Sequence, residues 1–108
     1  MRRAVVRALE EAGYQVAAAA DGNEAHQLSL LDAPDLACLD LDLPGASGLD
    51  LCERLKAERP MTVLLTAEFL DDATSARFAT VGADDLVFKP FTVAEILDKV
   101  AWYLSPED

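Results

Sequence analysis

Three short apolar runs in this sequence end on polar side chains that could work together. Leu36-Ala37-Cys38-Leu39 runs into Asp40, Val63-Leu64-Leu65 into Thr66, and Leu86-Val87-Phe88 into Lys89. A carboxylate, a hydroxyl and an ammonium offer a nucleophile, an oriented donor and a neutralising charge, the parts that group transfer onto a carboxylate requires. Continuous apolar runs of this length have the pattern of parallel strands buried on both faces. Open α/β sheets place their chemistry beyond the carboxyl ends of such strands. Each residue also has a plainer reading: Asp40 as a loop cap, Thr66 as a strand former, Lys89 as a surface lysine. All three stand at strand ends together, and that favours the joint reading. Asp42 alone would be loop solvation, and Asp84 and Asp85 read as turn and cap residues, not as ligands.

The segments between these runs must position them. Ala4 to Ala12 is patterned as a helix, with Val5, Val6, Leu9 and Ala12 on one face and Gly13 at its C-terminal end. Tyr14 to Ala20 is expected to be a short strand, and Asp21-Gly22 a turn. Asn23 to Leu31 reads as a second helix with Ala25, Leu28 and Leu31 inward, and His26 as a surface residue. Pro44-Gly45 turns the chain after Asp40. Ser47 can cap a helix running to about Glu58, with Leu51, Cys52 and Leu55 as its apolar face and Asp50–Arg54 as an i,i+4 pair. Met61 to Thr66 is the next strand. A helix opens at Asp71-Asp72 and runs to Val81; it is rich in Ala, Thr and Ser, so it should be the least firmly docked element. Gly82 ends it and Asp85 to Phe88 is the last strand. Thr92-Val93-Ala94-Glu95 is a capping box for a final helix with Ile96, Leu97, Val100 and Leu104 inward. Alternating helices and strands imply a parallel sheet with helices on both faces, a three-layer α/β/α architecture.

The 108 residues suit one domain, and about half of them are apolar. No run approaches the roughly 18 apolar residues of a membrane helix, and Arg7 and Glu10 interrupt any signal-peptide core. The expected protein is soluble and cytoplasmic. A net charge of −11 argues against nucleic-acid binding, which needs a basic face, and suits a basic partner or a bound cation. Cys38 and Cys52 lack CxxC spacing and read as reduced core residues.

The ordered set Asp40-Leu41-Asp42-Leu43-Pro44-Gly45, Leu65-Thr66-Ala67, Gly82-Ala83-Asp84-Asp85 and Lys89-Pro90-Phe91 resembles the receiver domain of two-component response regulators. The order and spacing fit over nearly the whole chain. The resemblance implies a flavodoxin-like, doubly wound parallel sheet and a phospho-acceptor module for residues 1–108. On that basis Asp40 would take a phosphoryl group from the phosphohistidine of a sensor histidine kinase or phosphotransfer protein. Lys89 would pair with one phosphoryl oxygen and Thr66 would donate its hydroxyl to another. Ala67 would leave backbone N–H groups open to the phosphoryl, and Mg²⁺ would lie against Asp40 and the backbone carbonyl of Asp42. Lys89-Pro90 matches a pair whose peptide bond is cis in the family. The resemblance makes the protein a cytoplasmic signalling switch and not an enzyme on free substrates, with at most slow autophosphorylation and autodephosphorylation. Its partners would be the kinase and a downstream target or output domain, and a homodimer through the last helix and strand fits the family pattern.

Two departures from the family qualify this. Receivers begin with a strand, central in the order 2-1-3-4-5, that ends in adjacent acidic metal-binding residues; this chain starts inside the first helix. The expectation is an N-terminally truncated receiver that binds Mg²⁺ weakly, with the lost strand encoded upstream of Met1. Receivers also carry Tyr or Phe three residues before the lysine, where this chain has Leu86, so the output face would rely on packing around Phe88 and Phe91. Two alternatives stand beside the receiver reading. One is a degenerate receiver, a protein-interaction module independent of phosphorylation. The other is a haloacid-dehalogenase-type phosphatase, suggested by Asp40-Leu41-Asp42 but opposed by chain length and by Asp84-Asp85 preceding Lys89.

Overall fold

The computed structural model describes residues 2–42 and 47–105. Its elements in chain order are α1 (Arg2–Glu11), α2 (Gly22–Asp32), β1 (Leu36–Asp40), α3 (Gly48–Glu58), β2 (Thr62–Ala67), α4 (Asp72–Thr80), β3 (Asp85–Phe88) and α5 (Val93–Leu104). The turn expected at Pro44-Gly45 lies outside the described residues. The three strands form one parallel sheet in the order β1-β2-β3. This is the flavodoxin-like α/β arrangement, seen from its third strand onward. Register pairs Asp40 with Thr66, Thr66 with Val87 and Ala67 with Phe88.

The strand expected at Tyr14 to Ala20 does not form: residues 14–19 take no regular structure and residue 20 is a bend. In the 2-1-3-4-5 order this segment pairs with the strand that precedes the first helix. Among the described residues none of the three strands pairs with residues 14–20, and a strand exists only where a neighbour completes its ladder. Cys38, expected in a strand buried on both faces, is exposed, whereas its neighbour Leu39, on the opposite face of β1, lies in the core.

Contacts group the chain into two units. One is built on α1 and α5, which pack on each other. In α5 the capping box forms as expected: Thr92 Oγ1 accepts from the Glu95 amide at 3.1 Å while Glu95 Oε1 accepts from the Thr92 amide at 3.2 Å. Ile96 and Val100 are buried.

The other unit, Ala19–Pro90, holds the sheet with α2, α3 and α4. Its core joins Leu39 of β1, Val63 and Leu65 of β2, Leu49, Leu51, Cys52 and Leu55 of α3, and Met61 and Val81 from the connections. β2 is the central strand and is buried along Val63–Ala67, as its apolar run requires. α3 is capped by Ser47, whose Oγ accepts from the Leu49 amide at 3.2 Å. α4, capped by Asp71, has no buried residue, in line with its weak apolar face.

Side chains on α2 and α3 depart from three expectations. Leu31 is 80% exposed and Ser29 is 4% exposed. Steps of three residues drift about 60° round a helix, so Leu31 leaves the face of Ala25, whereas Ser29, four residues on, returns to within about 40° of it. His26 is not a surface residue. Its Nε2 lies 2.7 and 2.9 Å from the two carboxylate oxygens of Glu58, and its side chain is largely covered, tying α2 to the end of α3. Asp50 pairs with Arg77 of α4, not with Arg54, and Arg77 also lies 3.9 Å from Glu53.

Candidate functional site

The sheet brings the three strand-end residues together. Asp40 is the last residue of β1 and Thr66 is its register partner on β2, so their backbones are about 4.8 Å apart. Lys89 follows β3, and its amide donates to the carbonyl of Ala67 at 2.7 Å. Its ammonium donates to Oδ2 of Asp40, closing an ion pair across the strand ends. The other carboxylate oxygen, Oδ1, accepts from the amide of Asp42 at 3.0 Å. Both side chains of the pair stay about one-third exposed, 35% for Lys89 and 31% for Asp40, so a reactant can reach them. Thr66 is buried.

The backbone around Asp40 is held on both sides. The amide of Leu41 donates to the carbonyl of Thr66 at 2.9 Å, continuing the ladder one step beyond the strand. The amide of Gly48, which opens α3, donates to the carbonyl of Leu41 at 3.0 Å. Asp84 and Asp85 were expected as turn and cap residues; instead Asp84 clips β3 to β2 and α3, and Asp85 is the first residue of β3. Asp84 Oδ2 accepts from Lys56 Nζ at 2.7 Å and from the Val63 amide at 2.8 Å, and the Asp84 amide donates to the Val63 carbonyl at 2.9 Å. Asp85 Oδ1 accepts from the Leu86 amide at 2.8 Å. This clip fixes the entry of β3 against β2, and with it the position of Lys89 at the far end of β3. Gly82, between α4 and β3, has φ +86°, where a side chain would be strained.

The remaining expected residues fall around this centre. Ala67 is buried beside Phe88 in register. The Lys89–Pro90 peptide bond is cis. Leu86 is partly buried and packs against the core. Asp42 lines, with Leu41, Ser47, Leu49, Glu68 and Phe69, an open pocket of about 460 Å³ beside the Asp40 end of β1. Among the described residues no group of three or more His, Cys, Asp or Glu side chains could hold a metal ion, and no helix is long and apolar enough to cross a membrane. Sequence reasoning missed Gly48 and the Asp84–Lys56 clip. Gly48 carries no functional group, and Lys56 and Asp84 lie 28 residues apart.

The family model for the response regulator receiver domain matches residues 1–101. The chain belongs to the receiver domain family. This receiver is similar to several solved structures. One is the CheY-like response regulator receiver domain protein of Methanospirillum hungatei JF-1, at 26% identity and a TM-score of 0.88, covering 94% of this chain and 82% of that one. The receiver domain of NtrX from Brucella abortus matches at 26% identity and 0.85, covering 98% and 91%. The signal receiver domain of a signal transduction histidine kinase from Syntrophus aciditrophicus matches at 31% identity and 0.84, covering 96% and 81%. The receiver assignment and its flavodoxin-like fold therefore stand, and with them a place in two-component signalling.

Proposed function

We propose that this receiver accepts a phosphoryl group on Asp40 from a histidine kinase or phosphotransfer protein and uses the modified state to switch protein contacts. The observation that carries this reading is the Lys89–Asp40 ion pair, which joins the ends of the two strands flanking β2, with Thr66 of β2 in register with Asp40. A carboxylate oxygen of Asp40 attacks phosphorus. The O–P bond forms as the P–N bond of phosphohistidine breaks, and the imidazole leaves with the electron pair. Lys89 moves its ammonium from the carboxylate to a phosphoryl oxygen, where negative charge concentrates. Thr66 donates its hydroxyl to a second oxygen, and the small Ala67 leaves backbone N–H groups accessible there. The amide of Asp42, already donating to Oδ1, orients the carboxylate.

Receivers as a family bind Mg²⁺. The oxygen donors here suit that ion, which takes one or two carboxylates together with phosphate oxygens. The Asp40 carboxylate and the Asp42 carbonyl would hold it, and bound there it would neutralise phosphoryl charge. Leu86 packed on the core in place of an aromatic supports the second reading, a receiver that works through protein contacts without phosphorylation. The partners in either reading are a kinase and a downstream target or output domain, and in neither is DNA bound. Self-catalysed phosphorylation from small donors and self-dephosphorylation would be slow.

Intact-mass measurement after incubation with acetyl phosphate and Mg²⁺, or with a cognate kinase, tests the proposal. Asp40→Asn should abolish incorporation, while Asp42→Asn should change only its rate. Equal loss in both variants would mean a two-carboxylate phosphatase, and no incorporation by the wild type would leave the contact-only module.

A further inference from the structure

Gly48 begins α3 directly against the end of β1, and it is buried. A methyl group on its Cα would stand 2.8 Å from the Cα of Leu41 and closer still to the carbonyl oxygen of Asp40. Both are backbone atoms, so no side chain can swing aside to make room. The strand is not free to retreat. The Leu41 amide is bonded to the Thr66 carbonyl at 2.9 Å, and Asp40 is in register with Thr66. The helix is not free either, since Leu49, Leu51, Cys52 and Leu55 of its first two turns are buried in the core. Any side chain at position 48 must therefore divide its displacement between the start of α3 and the Asp40–Leu41 peptide. Restoring ordinary contact with the Leu41 Cα alone means opening 2.8 Å to at least 3.4 Å, and the carbonyl of Asp40 must move further.

We propose that Gly48 is a positioning residue for the phospho-acceptor. The absence of a side chain there sets where the Asp40–Leu41 peptide lies, and so where the Asp40 carboxylate meets Lys89 and Thr66. The inference rests on the reading of Asp40 as the acceptor. A shift of a substantial fraction of an ångström at the nucleophile can cost on the order of 10²-fold in rate while binding is little altered.

The test compares Gly48→Ala with Leu55→Ala, a packing loss in the same helix away from Asp40. Both are studied at a temperature where circular dichroism shows them folded. The saturated rate of phosphorylation and the half-saturating acetyl phosphate concentration are measured in Mg²⁺, with amide NMR spectra of each variant. The expected result for Gly48→Ala is a saturated rate lower by roughly 10- to 100-fold, half-saturation unchanged, and displaced resonances of Thr66 and Lys89. Leu55→Ala should keep its rate and leave those resonances in place. A folded Gly48→Ala that phosphorylates like the wild type, or in which Thr66 and Lys89 do not move, overturns the inference. If Gly48→Ala does not fold, Ser47→Ala loosens the same helix start without adding bulk. It should lower the saturated rate by a smaller factor, and an unchanged rate overturns the inference. If the wild type takes no phosphate, the acceptor reading fails by itself. The NMR comparison then still decides whether Gly48 fixes the Asp40 end of β1.

Discussion

Replacing Lys89 by Met separates what the Lys89–Asp40 pair does for the fold from what it would do for phosphoryl transfer. Met keeps most of the apolar stem of the lysine and removes only the ammonium. Both partners are about one-third exposed, so solvent screens the pair and its contribution to stability is roughly 0.2–1 kcal/mol. In a domain of this size that corresponds to a melting shift of at most about 4–8 °C. The reaction asks much more of the same group. In the proposed reaction Lys89 would face a phosphoryl oxygen in the transition state, and removing one such donor costs about 2.7–4 kcal/mol, or 10²- to 10³-fold in rate. The expected result is a protein that melts within about 8 °C of the wild type and incorporates phosphate from acetyl phosphate at least about 100-fold more slowly. Thermal melts followed by circular dichroism and intact-mass time courses give the two readings on one sample. A Lys89→Met protein that phosphorylates at the wild-type rate would refute the assigned role. A collapse of the fold with little loss of rate per folded molecule would make Lys89 a structural residue.

Three further predictions concern the frame that holds the site. Asp84→Ala leaves the amide of the buried Val63 without its carboxylate acceptor and releases Lys56; a loss of about 1–3 kcal/mol is expected. Asp84→Asn keeps an acceptor oxygen and should lose distinctly less, so equal losses by chemical denaturation would contradict the clip. Ala33, the C-cap of α2, has φ 49°. Ala33→Gly removes the left-handed strain of about 1–2 kcal/mol against a smaller entropic cost, so it should raise the melting temperature; a lower one refutes the strained cap. Hydrogen bonds from Thr74 hold the carboxyl of Asp71 below the ordinary carboxylate range. Because this group is depressed in the folded state, its stabilisation is present above the unfolded pKa and is lost as pH falls through the lower folded value. Amide exchange in α4 should therefore accelerate over that acid window in the wild type and lose this step in Asp71→Asn; identical profiles would exclude a role for the cap.

Much of this protein was legible in its sequence because the signals are local. Apolar runs ending in Asp40, Thr66 and Lys89 announce strands with polar tips, and β3 is found at Asp85–Phe88 as expected, although only β2 is buried along its length; β1 and β3 bury one residue each, Leu39 and Val87. Capping chemistry is equally local: Ser47, Asp71 and Thr92 each cap the helix they were expected to begin. A buried parallel sheet then forces the three polar tips to one edge, so the composition of the candidate site follows from order alone. What sequence could not decide depends on which elements become neighbours. Tyr14 to Ala20 has strand composition, yet strand formation requires a partner ladder, and among the described residues none of the three strands pairs with it. Cys38 lies in an apolar run and is nevertheless exposed, because it leaves β1 on the face opposite Leu39, and the core lies on the Leu39 face. His26 finds Glu58 across 32 positions and Asp50 finds Arg77 across 27, distances over which no periodicity carries information. The contact between Gly48 and the Asp40–Leu41 backbone is of the same kind. A glycine's missing side chain acquires meaning only once packing of α3 on β1 has brought another backbone into the space that the side chain would fill.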